Sequence, residues 1–158
     1  MRRISYDGLP KMIKSFKNAI LGIYASIRSE RNMRVHLSFA FYILLACAVT
    51  GVSRAELLVV VLCIAAVITA ELMNTALEKL CDRVCPDRSR EIALVKDMAA
   101  GAVFIFSVAS AIAGGVIFFN AEKVNGALDF ARNYPVFAAL IVASIPAAAY
   151  LTFRKYKV

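Results

Sequence analysis

Apolar residues occupy this chain in four long blocks, parted by short charged stretches. Residues 37–53 (LSFAFYILLACAVTGVS) carry no charge, and 57–70 (LLVVVLCIAAVITA) continue without one as far as Glu71. Residues 98–119 and 134–153 are also uncharged. A helix of about 20 apolar residues crosses a bilayer core, so the last two blocks suffice alone and the first two need flanking turns. The pattern predicts transmembrane helices over about 35–53, 57–80, 97–119 and 134–153, with Pro146 expected to kink the last. Ahead of them, Ile13, Phe16, Ile20, Ile23, Tyr24 and Ile27 recur at helical spacing, with Lys11, Lys14, Lys17 and Arg28 mostly elsewhere. That predicts an amphipathic surface helix over about 10–30, lying in the headgroup region or packed on the bundle.

Composition strengthens this reading. The 158 residues are 61% hydrophobic with a mean hydropathy of +0.70, against about 45–50% apolar in soluble domains. The expected class is an all-α integral membrane protein. Residues 1–120 form its domain, and 121–158 form an extension in which a polar loop, NAEKVNGALDFARN, leads to the fourth helix. The first 34 residues do not read as a signal peptide.

The net charge of +8 gains meaning from its placement. Sixteen Lys and Arg residues fall in 1–36, 79–97 and 154–158, and only Arg54, Lys123 and Arg132 fall in the other two connections. The positive-inside rule then sets the N-terminus on the cytoplasmic side of a membrane that the protein crosses several times. Nothing pairs basic with aromatic residues as a nucleic-acid platform would. In the link CPDRSREIALVKD, Pro86 reads as a stop and Asp87 or Ser89 as a helix cap. Cys81 and Cys85 lack a second Cys/His pair and read as reduced packing residues. His36, the lone histidine, reads as a polar residue at a boundary.

One stretch breaks the apolar rule: TAELMNTALEKLCDRV, residues 69–84. On a helix, Asn74 falls about 60° to one side of Glu71 and Glu78 about 20°, with Thr75 and Asp82 about 40° and 20° to the other. Asn74 alone would suit helix-to-helix glue. Two glutamates on one face do not, because ionised groups at membrane depth need a partner or water. The stripe predicts a site for a cation or proton at the cytoplasmic boundary. Glu30 is expected at the depth of Glu78, and two carboxylates with waters or phosphate oxygens suit Mg²⁺. Lys96, with Lys14 and Lys17, supplies charge for phosphate. A proton- or cation-conducting bundle is the rival, but such a path should continue outward through polar residues, and 57–68 are apolar.

ELMNTALEKLCDRV followed by VKDMAAGAVFI resembles the signature of the prokaryotic diacylglycerol kinase family, with Glu71, Asn74, Thr75, Ala76, Glu78, Asp82, Arg83, Lys96, Asp97 and Met98 in register. Ala100-Gly101-Ala102 departs from the family's usual order of small residues. Upstream, GIYASIRSERNMRVH looks like the Gram-positive branch, whose members are often undecaprenol kinases. The resemblance, over about residues 10–120, implies a homotrimer with sites shared between neighbours, transferring phosphate from ATP to undecaprenol or diacylglycerol. It implies Glu71 as general base facing the lipid hydroxyl and Glu30 and Glu78 as Mg²⁺ ligands. Asn74, Lys96 and Asp97 would contact nucleotide or order the site.

Overall fold

A computed structural model describes residues 11–85 and 89–154 of the chain. Among them are no strands, only six helices: α1 (Lys11–Ser29), α2 (Arg31–Thr50), α3 (Arg54–Val84), α4 (Arg90–Phe118), α5 (Ala121–Asn133) and α6 (Pro135–Phe153). Four of these, α2, α3, α4 and α6, are long and apolar enough to cross a membrane. The chain is an all-α membrane protein.

Local chemistry explains where the helices stop. Glu30 alone is extended between α1 and α2, at φ −108° and ψ 125°. After Thr50 the chain turns through Gly51, whose φ of 66° is left-handed and costs glycine little. Ser53 then opens α3 with a reciprocal cap. Its Oγ accepts from the Glu56 N–H at 3.3 Å, and its own N–H donates to Glu56 Oε2 at 2.6 Å. Ser89 caps α4 by accepting from the Ile92 N–H at 3.2 Å. Asp87, the other expected cap, and Pro86 lie outside the described residues.

Two expectations are corrected. Helix α3 runs 31 residues and α4 begins at Arg90, well before residue 97. Hydropathy reports only what lies in hydrocarbon, while capped and charged ends prolong a helix into water. The polar stretch after the third span is not a loop but helix α5, capped by Asn120 Oδ1 on the Lys123 N–H at 3.0 Å. Pro146 lies inside helix α6.

Helices α3 and α4 form the principal hairpin, and α2 packs on α3, α5 and α6. The fourth span is fastened to α2, with Tyr42 Oη 2.9 Å from Ser144 Oγ and Ser38 Oγ 2.8 Å from Thr152 Oγ1. The apolar stripe of α1, from Ile13 to Tyr24, is exposed, while Ser26 is the residue α1 buries. That stripe therefore faces away from the bundle, as a helix lying on a membrane requires.

The bundle has two unlike ends. At one, the first turn of α2 meets the ends of α1 and α6, and α3 meets α4 through Lys96 and Asp82. At the other, α5 crosses the α2–α3 turn. The first end gathers most of the described Lys and Arg residues, so the charge asymmetry seen along the chain is also an asymmetry in space.

Candidate active site

Glu71 lies near the middle of α3, seventeen residues from Arg54 and thirteen from Val84. At about 1.5 Å rise per residue, α3 is about 46 Å long against a hydrocarbon core of about 30 Å. Counted from its capped end, Glu71 lies about 25 Å along the helix and Glu78 about 36 Å. The stripe buries Glu71 to 1% exposure, with Asn74 and Thr75 nearly as deep.

Hydrogen bonds set out these groups. Asn74 Nδ2 donates to Glu78 Oε1 at 3.1 Å. Ser26 Oγ donates to Thr75 Oγ1 at 3.3 Å, fixing the end of α1 against α3. Among the described residues, Glu71 Oε2 and Asn74 Oδ1 are buried with no hydrogen-bond partner. Because the Asn74 amide nitrogen is committed to Glu78, its oxygen is the atom left over. Buried polar atoms are nearly always satisfied. Two such acceptors one helical turn apart mark a place where a donor or a cation can be taken up.

Glu30 ends α1 and reaches Lys79, whose Nζ is 3.6 Å from Glu30 Oε1 and also donates to Ser29 Oγ. Lys79 directly follows Glu78, so Glu30 comes to the same turn of α3. The carboxylates of Glu78 and Glu30 act electrostatically on Glu71. Lys96 pairs with Asp82, which draws Asp82 out of the stripe and toward α4. Asp97 is exposed beside it. Lys14 and Lys17 sit on exposed turns of α1, roughly 18 Å or more of helix rise before Ser29. Thus Glu30, Glu71, Asn74 and Glu78 are gathered, Lys96 and Asp97 stand at the edge, and Lys14 and Lys17 are remote within one chain. Ser26 and Lys79 carry no signal along the chain; both look ordinary until α1 folds back on α3.

Among the described residues, no group of three or more His, Cys, Asp or Glu side chains is set to hold a metal. The donor chemistry at this end nevertheless suits Mg²⁺: the glutamates and the orphaned Asn74 oxygen are all oxygen donors, and the ion takes few protein carboxylates alongside water and phosphate. Outward from Glu71 the same face of α3 carries Val67, Ile64 and Val60. These line an apolar cavity of about 320 Å³ between α2, α3 and α4, with His36 and Ser107 among its walls. Cys81 is buried and Cys85 half-buried.

Fold and cluster together define an all-helical membrane protein with a polar centre at one boundary. The prokaryotic diacylglycerol kinase family matches residues 17–118, and the chain belongs to that family. It is 36% identical over 110 residues to the undecaprenol kinase of Bacillus subtilis (strain 168), covering 70% of this chain and 89% of that one. It is 30% identical over 118 residues to a diacylglycerol kinase of Synechocystis sp., covering 74% and 67% respectively. A diacylglycerol kinase of Haemophilus influenzae is 26% identical over 113 residues, covering 71% and 96%. No solved structure matches. The protein is a membrane lipid kinase with ATP as phosphate donor.

Proposed function

We propose that the chain transfers the γ-phosphate of ATP to undecaprenol, ahead of diacylglycerol, giving undecaprenyl phosphate. The observation that carries this is Glu71 Oε2, buried on an apolar membrane-spanning helix with no partner among the described residues. A lipid hydroxyl is a donor that a membrane holds. In this reading Glu71 accepts the hydroxyl proton as the oxygen attacks the γ-phosphorus and the bond from that phosphorus to ADP breaks, ADP leaving, a general-base role. The apolar cavity beyond Glu71 suits an acceptor whose hydroxyl is carried by a hydrocarbon chain. Undecaprenol is placed first because the 36% identical relative bears that name.

Glu30 and Glu78 would hold Mg²⁺, which when bound neutralises phosphate charge. Asn74 is oriented by its bond to Glu78, and its free oxygen faces the same space. Lys96 would exchange Asp82 for a phosphate oxygen, with Asp97 ordering this edge. Phosphoryl transfer needs positioning and charge neutralisation more than covalent help. Residues 1–120 form the kinase domain and 121–158 an extension. The distance of Lys14 and Lys17 from Glu78 favours a homotrimer in which they serve a neighbour's nucleotide. The basic end faces the cytoplasm of a bacterial cell, where ATP is.

The test uses purified protein, labelled ATP, and undecaprenol or diacylglycerol in mixed micelles. Magnesium-dependent transfer, faster to undecaprenol, is expected. No transfer to either lipid would defeat the reading, and faster transfer to diacylglycerol would reverse the substrate order.

A further inference from the structure

Arg34, in the first turns of α2, donates to main-chain carbonyls of two other helices. Its Nη1 reaches Ile27 O at 3.0 Å and Arg28 O at 3.3 Å, at the end of α1. Its Nε reaches Thr152 O at 3.1 Å and its Nη2 reaches Arg154 O at 3.4 Å, at the end of α6. The last carbonyls of a helix have no partner within it, and a cation there also meets the negative end of the helix dipole. One guanidinium thus closes two helix ends at once. Three residues before it, Arg31 stands over the Phe153 ring at 5.8 Å.

Between these grips lies Glu30, the single extended residue joining α1 to α2. A residue at such a corner points where the two helices direct it. Helix α6 lies beyond residues 17–118, the segment the family match covers.

We infer that Arg34 is a positioning residue for Glu30, and that the C-terminal helix braces the metal side of the kinase site through Arg34 and Phe153. The inference rests on the proposed reading of Glu30 as a metal ligand. In this role Arg34 touches neither lipid nor nucleotide; it holds the α1–α2 corner at one angle. Lysine cannot replace it fully, because an ammonium lacks the planar fork that spans two helix ends.

The experiment compares full-length Arg34→Gln, Arg34→Lys, Phe153→Ala and Glu30→Gln in micelles. Mn²⁺ binding with a non-hydrolysable ATP analogue is followed by the electron spin resonance of the free ion, beside lipid KM and thermal unfolding. Arg34→Gln should weaken metal binding by about tenfold or more, as loss of an orienting partner commonly does, with lipid KM unchanged. Arg34→Lys should recover part of the loss, and Phe153→Ala should shift binding the same way by less. If Glu30→Gln leaves Mn²⁺ binding intact, the ligand reading fails and this inference with it. If Glu30→Gln weakens binding while Arg34→Gln does not, the positioning role alone is overturned. Should Arg34→Gln not fold, wild-type binding in both Arg34→Lys and Phe153→Ala overturns it.

Discussion

The two ends of the bundle use nearly the same side chains to opposite effect. At the α5 end, Ser53, Glu56, Asn120 and Lys123 close on one another. Lys123, 4% exposed, lies 3.3 Å from Glu56 Oε2 and donates to Gly51 O at 3.1 Å. Asn120 caps α5 and also donates to Ile117 O at 2.9 Å. At the basic end, carboxylates and an amide again share one surface, yet two buried acceptors are left over. A lysine beneath the carboxylate satisfies the first cluster. The second has its lysines at the rim, on Glu30 and Asp82. One end is settled by its own side chains, and the other keeps acceptors unfilled among the described residues.

Substitutions can break that contrast. The largest effect belongs to Glu71→Gln, which keeps shape and removes the proposed base. Phosphate transfer should fall by about 10²–10⁴-fold while nucleotide affinity, read by equilibrium dialysis, stays near wild type. Near-normal turnover would remove Glu71 from its role. At the opposite end, Lys123→Met should lower the unfolding temperature by about 5 °C through lost charged hydrogen bonds, with kcat of the remaining folded protein unchanged. A rate loss without a stability loss would blur the two ends into one. Gly126→Val comes next, because even a Cβ there would meet Thr50 O at 3.3 Å, and the main chain cannot swing aside. It should lift α5 from the turn and cost a few degrees in the same melting assay. Smallest of all, Arg132→Gln disturbs only an exposed pair with Asp129 at 3.4 Å. Neither melting nor turnover should move measurably.

The stripe on α3 was legible because carboxylates at helical spacing inside an apolar block are costly to keep unless they are used. Glu71, Asn74 and Glu78 stood out by position as much as by type. Helix α5 was not legible. It packs through Lys123, Gly126, Ala127 and Phe130, a helical spacing whose polar and small members do not announce a buried face. Asp82 misled for another reason. Its angle places it on the stripe, but Lys96 of the adjacent helix captures it, and spacing along one helix cannot show a partner on the next. The role of Ser26 was likewise invisible, since it depends on the fold-back of α1 onto Thr75.

Helix α3 has one further consequence. Its outer end is pinned by the Ser53 cap and, through Glu56, by buried Lys123, and a continuous rod of about 25 Å separates Arg54 from Glu71. Such a rod does not stretch, so the host bilayer's thickness decides where its carboxylate emerges. In a thin membrane Glu71 clears the acyl region, and in a thick one it sinks beneath the plane of lipid hydroxyls unless the helix tilts or the lipid deforms around it. Under the base role proposed for Glu71, the enzyme carries a gauge of its own solvent, and acyl-chain length becomes a variable of its chemistry.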